Sequence, residues 1–156
     1  MDSELRDLLD REAVRDLVVR FANAFDLQDW GALRACLAAE IFVDYSDFRG
    51  DPPATITADS YVAARISALA ALKTQHLSTN HQVTLAGDHA ECVSAFLIHR
   101  IAPASGDLLD TAGHYWHGCA RTPDGWRIDH IRQTVLWTRG NPAIHGAFSN
   151  WALKPS

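Results

Sequence analysis

The chain has 156 residues and a mass of 17.2 kDa, which suits one domain with a single core. Hydrophobic residues make up 47% and charged residues 21% of the chain, a globular balance that excludes intrinsic disorder. The net charge of −5 at pH 7 argues against non-specific binding of nucleic acid, because that binding depends on clustered cations.

The N-terminus, the apolar runs and the cysteines predict where the protein resides. The acidic N-terminus lacks the basic start and apolar stretch of a signal peptide, and no apolar run approaches the roughly 20 residues that span a bilayer. Cys36, Cys92 and Cys119 include no close pair, which is typical of a reducing compartment. We therefore expect a cytoplasmic protein without membrane or nucleic-acid partners, in which residues 1–140 form one domain.

The N-terminal part of the chain carries helical patterns. From Leu5 to Phe25 apolar residues recur at three- and four-residue spacing, which predicts one long amphipathic helix. Asp29 stands in the N-cap position of a short second helix. The apolar residues of that helix are Trp30, Leu33 and Leu37.

A short β-rich run at 41–46 predicts a strand, and the prolines at 52–53 predict a break. Thr57 then precedes a third helical pattern that extends through Leu72. The predicted buried stripe of this helix consists of Tyr61, Val62, Ile66 and Leu69.

The second half of the chain is β-rich. Turn signals separate four segments, at 77–85, 89–102, 108–122 and 126–138. Helices that precede strands, without β-α-β alternation, predict the α+β class. We expect three helices packed on a curved, mostly antiparallel sheet, with a pocket between the two layers.

Eight histidines raise the question of a metal site. His114 and His117 are three residues apart on a predicted strand, so their side chains are expected on opposite faces. The chain has no HExxH motif, no Gly-x-Ser-x-Gly elbow and no glycine-rich phosphate loop. We therefore expect no metal and no cofactor, which leaves general acid–base chemistry in a pocket.

Asp26 and His76 are the best candidates for such chemistry. Asp26 follows the last apolar residue of the long helix, where a carboxylate opposes the helix dipole and needs a partner. His76 lies at the start of the first strand of the β-rich half, and a carboxylate on one imidazole nitrogen makes the other nitrogen a better base. The alternative is that Asp26 caps the following turn and His76 is a polar residue at a strand end.

Several ordered segments resemble scytalone dehydratase, an enzyme of the SnoaL-like branch of the nuclear transport factor 2-like superfamily. The resemblance runs from about residue 15 to about residue 138. The matching segments are residues 21–37 (FANAFDLQDWGALRACL), 43–45 (VDY), 74–76 (TQH), 124–126 (DGW) and Trp137. This resemblance implies a cone-shaped α+β barrel with the active site inside the cone.

The resemblance also implies roles for individual residues. Asp26 and His76 match the pair that abstracts a proton beside a carbonyl, and Tyr45 matches a tyrosine that polarises the carbonyl through a water. His99 is the best match for a second catalytic histidine, in a hairpin two residues shorter than that of the family.

Three further positions are expected to contact the substrate, and two of them depart from the family. His114 and Trp116 share one strand face, and Trp116 replaces an asparagine of the family. Phe25 replaces a water-binding tyrosine. These departures imply related proton chemistry on a different, more apolar or aromatic, small molecule.

The sheet face opposite His76 is expected to be apolar as well, since Leu77, Val83 and Leu85 are assigned to it. An exposed apolar face of this kind usually marks an interface. We expect a homo-oligomer, with a trimer favoured by the resemblance and a dimer as the alternative. Residues 141–156, which include Phe148 as a further substrate-contacting candidate, are expected to cover the pocket or to be a disordered terminus.

Three functional hypotheses follow. The first is a cofactor-independent lyase of the dehydratase type that acts on a small cyclic or aromatic molecule. The second is an isomerase or aldol cyclase that uses the same base on a polyketide-like or steroid-like compound. The third is a non-catalytic small-molecule-binding module, which requires no contact between Asp26 and His76.

Overall fold

The structure, a computed structural model, describes residues 3–145. The helices are α1 (Ser3–Asp26), α2 (Trp30–Ala35), α3 (Ser46–Arg49), α4 (Ala58–Leu69) and a 3-10 turn (Pro142–Ile144). The strands are β1 (Leu37–Asp44), β2 (Ala54–Thr57), β3 (Lys73–Ala86), β4 (His89–Ile101), β5 (Leu108–Thr122) and β6 (Gly125–Gly140). Within this range no helix combines the length and the apolar character that crossing a membrane requires.

The predicted helix starts agree with the structure. The side chain of Asp29 accepts a hydrogen bond from the backbone N–H of Ala32, and that of Thr57 accepts one from Ser60. The second helix is shorter than expected, because Leu37 already begins β1. The third predicted helix, α4, likewise ends before Leu72.

The predicted buried stripe of α4 is wrong at one position. Ile66 is 41% exposed, whereas Arg65 is buried. Tyr61, Arg65 and Leu69 are spaced by four residues and share the buried face of α4. An arginine is unexpected on a buried face, because charge there needs a compensating environment.

Two short elements between β1 and α4 were not expected. Helix α3 follows β1 directly and ends at Gly50, whose φ of 78° is the left-handed conformation that glycine adopts without strain. Strand β2 then pairs antiparallel with β1 at the edge of the sheet. Helix α3 matters for the site, because it brings Phe48 and Arg49 next to Tyr45.

The six strands form one curved, unclosed sheet in the order β2-β1-β6-β5-β4-β3. Every neighbouring pair is antiparallel except β1 and β6, which are parallel. The predicted α+β class, with N-terminal helices on a mostly antiparallel sheet, is therefore confirmed. The hydrophobic core lies between α1, α4 and one face of the sheet, here called the inner face.

A β-bulge between Thr79 and Gln82 corrects one prediction about the sheet faces. Asn80 adopts a φ of 55° there, and the shift in register reverses the alternation of β3. Val83 and Leu85 consequently belong to the inner face, together with His76, and only Leu77 remains on the outer face. Leu77 nevertheless continues into an apolar outer row across four strands, made of Leu77, Leu97, Ala112 and Trp137.

Candidate active site

Asp26 and His76 form a hydrogen-bonded pair on the inner side of the sheet. The Oδ1 atom of Asp26 lies 2.6 Å from Nδ1 of His76, and its Oδ2 accepts the backbone N–H of His76 at 2.7 Å. The hydroxyl of Thr74 also donates to Oδ1, at 2.9 Å. An ionised carboxylate only accepts, so Nδ1 carries the proton and Nε2 is the basic nitrogen. The partners of this carboxylate thus lie on β3 and not in the turn after α1.

The surroundings set the protonation of this pair. Burial favours the neutral form of Asp26, but the hydrogen bonds from His76 and Thr74 outweigh it and lower the pKa of the carboxyl. For His76 burial is the largest influence and lowers the pKa below 6.5, although Asp26 acts in the opposite direction. The ring of Phe25 stacks on the imidazole with centroids 5.0 Å apart. The pair is therefore a carboxylate and a neutral imidazole at pH 7.

His76 borders a cavity that also takes side chains from α1, α3, α4, β4, β5 and β6. It is lined by Phe25, Tyr45, Phe48, Tyr61, Arg65, Leu69, His76, Ile98, Arg100, Tyr115, Gln133 and His145. Its free volume is about 30 Å³, far below the roughly 300–1,000 Å³ of pockets that hold small molecules. A cyclic ligand must therefore displace some of these side chains when it enters.

Two tyrosine hydroxyls meet in this cavity. The hydroxyl oxygens of Tyr45 and Tyr61 are 2.7 Å apart, and both side chains are buried. Burial raises the pKa of Tyr61 well above 10, so its hydroxyl stays neutral and remains a donor. Tyr45 therefore lies in the same cavity as His76, as expected, and it has Tyr61 as a partner that the sequence did not predict.

Arginines are the main feature that sequence reasoning missed. Arg65 from α4 and Arg100 from β4 line the cavity, and the guanidinium of Arg49 stacks on the ring of Tyr45 at 4.6 Å. Arg100 donates to the Thr111 hydroxyl at 2.9 Å. Burial lowers the pKa of Arg100 to about 10, which leaves it charged at neutral pH. The cavity thus combines one basic imidazole with permanent cations.

The chain after β6 also reaches the cavity. His145, which follows the 3-10 turn, is buried and its ring lies 5.7 Å from that of Phe48. Burial, followed by the charges of Arg100 and Arg65, lowers the pKa of His145 to about 3. The proposed contact of Phe148 with substrate, and most of the predicted covering segment 141–156, lie outside the described residues.

His99 is not where the resemblance implied. It follows Ile98 on β4 and its side chain is on the opposite face of the strand, where its Nδ1 lies 2.9 Å from Oδ1 of Asp110. Ile98 is the residue that stands opposite His76 on the inner face, so strand alternation directs His99 outward. The expected position of His99 beside His76 is therefore corrected.

His114 and Trp116 also lie on the outer face. Strand β5 alternates regularly, and Tyr115 and His117 are the residues that point inward. Trp116 instead stacks against the guanidinium of Arg132 on the outside, at 4.2 Å. The resemblance placed His114 and Trp116 on the substrate side, and a displacement of one position in that match is enough to reverse a strand face.

His117, expected on the surface or the opposite face, is an interior residue. Its ring lies 5.2 Å from that of Phe21, and neither ring nitrogen has a hydrogen-bond partner among residues 3–145. Burial lowers the pKa of His117 to about 3. Such a histidine stays neutral in the native protein and is a structural member of the core.

Other catalytic groups find little support in the described part of the chain. Among residues 3–145 no three His, Cys, Asp or Glu side chains are grouped so as to hold a metal ion. Burial raises the pKa of Cys92 to about 11 and of Cys119 to about 12, so both remain thiols. General acid–base chemistry at Asp26 and His76 is what the arrangement can perform.

Comparison with known proteins adds a family to this geometry. A family model described as a SnoaL-like domain matches residues 6–132. Scytalone dehydratase-like protein claB of Passalora fulva is 33% identical over 81 residues, which are 46% of this chain and 50% of that protein. The match thus spans about half the length of this curated relative.

Solved structures agree with the fold. The Kfla4162 protein of Kribbella flavida is 27% identical with a TM-score of 0.82, over 85% of this chain and 95% of that one. Hexachlorocyclohexane dehydrochlorinase LinA-type3 of Novosphingobium barchaimii LL02 is 15% identical with a TM-score of 0.75, over 92% and 97% of the two chains. At that identity the dehydrochlorinase supports the fold alone.

Proposed function

Because the chain belongs to the SnoaL-like domain family, of the nuclear transport factor 2-like superfamily, we propose that it is a cofactor-independent lyase. The family includes enzymes that convert small molecules, and the relative named as scytalone dehydratase-like is of the lyase type. The single observation that carries the proposal is the 2.6 Å hydrogen bond between Asp26 and His76 beside a cavity. The substrate is a small cyclic or aromatic molecule with an acidic C–H beside a carbonyl.

The first step is removal of a proton from carbon. Nε2 of His76 accepts the proton, and the carboxylate of Asp26 stabilises the imidazolium that forms. The electron pair of the broken C–H bond moves onto the carbonyl oxygen to give an enolate. The hydroxyl of Tyr45, which lies 2.7 Å from that of Tyr61, donates a hydrogen bond to the enolate oxygen and stabilises its charge.

The second step is loss of the leaving group. The enolate re-forms the carbonyl while the carbon–oxygen bond at the next carbon breaks, which leaves a carbon–carbon double bond. The imidazolium of His76 returns its proton to the departing hydroxyl, so that water leaves and the base is neutral again. His99 and His114, the helpers expected from the sequence, lie on the other face of the sheet and take no part.

The test is a screen of hydroxylated and halogenated cyclic ketones, with product masses read by mass spectrometry. Loss of water or of hydrogen halide supports a lyase, whereas an unchanged mass with altered structure assigns the isomerase alternative. For any active compound, His76→Ala should lower kcat by roughly 10²–10⁴. The matched control is His99→Ala, which removes the other carboxylate-paired histidine and should leave kcat unchanged. Equal rates for His76→Ala and the wild type would contradict the assignment.

We also propose that the protein is a homo-oligomer, with a trimer favoured. The support is the apolar outer row of Leu77, Leu97, Ala112 and Trp137, in which Leu77 and Trp137 are exposed. Sedimentation equilibrium of the full chain gives the mass directly. Trp137→Glu should shift the trimer towards monomer, and a wild type that sediments as a monomer would contradict the proposal.

A further inference from the structure

The cavity beside His76 is positively charged although the whole chain carries a net charge of −5. Arg65 is 9% exposed and Arg100 is 4% exposed, and both line the cavity. Arg49 stands behind Tyr45 and adds a third guanidinium. Charged side chains are rarely buried to this degree unless a partner compensates them.

The usual partner of a buried arginine is a carboxylate, and these arginines have none. Within residues 3–145 neither Arg65 nor Arg100 forms an ion pair, and Arg49 lies 3.7 Å from the exposed Asp51. Asp110 is close enough to affect Arg100, but its carboxylate is bound on the outer face by His99 and Arg139. The charge of Arg65 and Arg100 is therefore left uncompensated inside the protein.

Aromatic rings satisfy only part of these guanidinium groups. Arg65 lies 5.4 Å from the ring centroid of Tyr61 and 5.6 Å from that of Tyr45, and Arg100 lies 5.4 Å from that of Phe48. Contacts with rings use the planar face of a guanidinium, whereas its N–H donors point outward in the plane. The Nε donors of both arginines are buried without an acceptor among the described residues.

These cations also act together on the histidines beside the cavity. His145 experiences Arg100, Arg65 and Arg49 together, and after burial their charges are what lowers its pKa to about 3. Arg100 also contributes to the lowered pKa of His76, after burial. A bound anion would relieve this repulsion and accept the unused in-plane N–H groups.

We infer that Arg65 and Arg100 form an anion-binding subsite, and that the substrate carries an oxyanion group, either a carboxylate or a phosphate. Arg100 stands opposite Thr74 in the β3–β4 register, two residues from His76 on the same face. Diagonal neighbours of this kind are about 7–8 Å apart along the backbone, and both side chains line the same cavity, so an anion on Arg100 lies in the space that His76 borders. The inference rests on the proposed function for its catalytic meaning, since it names the substrate class of that same site.

The subsite is tested by binding, which does not require turnover. The full-length protein is titrated calorimetrically with benzoate, phenyl phosphate and the neutral benzamide. We expect at least one of the two anions to bind about tenfold or more tightly than benzamide, because hydrogen bonds between charged partners are the strong ones. The preferred anion identifies the oxyanion as carboxylate or phosphate. Equal affinity for all three probes would overturn the inference.

Matched variants locate the binding. Arg65→Gln and Arg100→Gln should each weaken anion binding about tenfold or more. Arg139→Gln changes the net charge equally on the outer face, where its side chain is 78% exposed, and should leave binding within about twofold. Equal weakening by Arg139→Gln means a general charge effect and contradicts the subsite. If a Gln variant fails to fold by circular dichroism, Arg65→Lys and Arg100→Lys keep the charge and should still weaken binding, because lysine lacks the bidentate fork.

His76→Ala separates this inference from the proposed function. It should bind benzoate or phenyl phosphate as the wild type does while losing turnover. Absence of anion preference together with His76-dependent turnover of neutral ketones would remove the subsite and leave the lyase. Anion binding together with unchanged turnover in His76→Ala would leave the anion-binding subsite and remove His76 as the base of the proposed lyase.

Discussion

Residues 3–145 contain two aspartate–histidine pairs, one on each side of the same sheet. In the inner pair Nδ1 of His76 lies 2.6 Å from Asp26, and in the outer pair Nδ1 of His99 lies 2.9 Å from Asp110. The local chemistry of the two hydrogen bonds is the same. Their surroundings differ, because the side chain of His76 is 12% exposed and that of His99 is 46% exposed.

The carboxylates differ as well. Asp110 also accepts a hydrogen bond from Arg139 at 2.7 Å, so its charge is shared between two partners. Asp26 accepts from Thr74 and His76 only, and no arginine pairs with it among residues 3–145. The comparison teaches that two aspartate–histidine hydrogen bonds of the same kind differ through their surroundings. Burial of the imidazole and a position beside the cavity distinguish the inner pair, and under the proposed function these are what make His76 the base.

The largest expected effect comes from removing the carboxylate charge of each pair in turn. Asp26→Asn should lower the plateau of kcat on the order of 10²–10⁴, because the favoured tautomer and the stabilisation of the imidazolium are both lost. Asp110→Asn should leave the plateau unchanged. Steady-state kinetics on an active compound from the screen measures both, and equal losses in the two variants would abolish the distinction between the pairs.

The pH dependence of the rate shows whether Asp26 raises or lowers the pKa of His76. The base must be neutral, so the rate rises with pH through the pKa of His76, which burial sets below 6.5. Asp26 acts to raise that pKa. Asp26→Asn should therefore move the acidic limb to lower pH, and Asp110→Asn should not move it. An unmoved limb with a full plateau in Asp26→Asn would mean that the base lies elsewhere.

The next effect concerns Tyr45 and Tyr61, which line the cavity beside the inner pair. Tyr45→Phe should lower kcat by roughly 10²-fold, in the range of losing one preorganised donor to a developing oxyanion. Tyr61→Phe should lower it less, because the Tyr61 hydroxyl acts by orienting that of Tyr45, 2.7 Å away. A larger loss in Tyr61→Phe than in Tyr45→Phe would exchange the two roles.

Much of the inner site was predictable because local signals point to it. The periodicity of α1 ends at Asp26, a carboxylate at the wrong end of a helix dipole, and the resemblance covers Tyr45 and His76 as well. The resemblance placed His99, His114 and Trp116 inside, although all three lie on the outer face. Their match to the family depends on the lengths of the hairpins between the strands. A strand reverses its face at every residue, so a displacement of one position is sufficient for a complete error.

The arginines were missed for a different reason. Arg65 has the spacing of a buried α4 residue and Arg100 the parity of an inner β4 residue, so periodicity did contain the signal. Cations are ordinarily assigned to the solvent. The burial of Arg100 becomes visible only when β3 and β4 are paired in register, and that of Arg65 only when α4 is packed onto the core. Elements α3 and the 3-10 turn were missed because runs of three or four residues are too short to show a period.

A smaller effect concerns stability. Replacing an interior histidine should change the pH dependence of the free energy of unfolding, whereas replacing an outer histidine should not. Burial holds the pKa of His117 at about 3 in the native state, against 6.5 in the unfolded chain. As pH falls below 6.5 the unfolded state binds a proton that the native state refuses, so native stability is lost between about pH 6.5 and 3. The slope from His117 alone approaches about 1.4 kcal/mol per pH unit.

Urea unfolding at pH 7, 5.5 and 4.5 measures this slope. His117→Leu should flatten the fall in the free energy of unfolding on acidification, whereas the control His114→Leu, on the outer face, should retain the wild-type slope. His145, with its pKa also held at about 3, continues to contribute in both variants. Identical slopes in His117→Leu and the wild type would mean that His117 is protonated in the native protein.

The smallest expected effect lies in the outer pair itself. The side chain of Arg139 is 78% exposed, so its ion pair with Asp110 is screened by solvent although the carboxylate is buried. Arg139→Gln should change the free energy of unfolding by less than about 1 kcal/mol, because His99 still donates to the same carboxylate. Unfolding in urea at low and high salt tests this, since an exposed ion pair weakens as salt is added. A loss of several kcal/mol in the free energy of unfolding would mean that the buried carboxylate of Asp110 depends on its partners as strongly as that of Asp26. The two pairs would then differ in the burial of their imidazoles and not in the burial of their carboxylates.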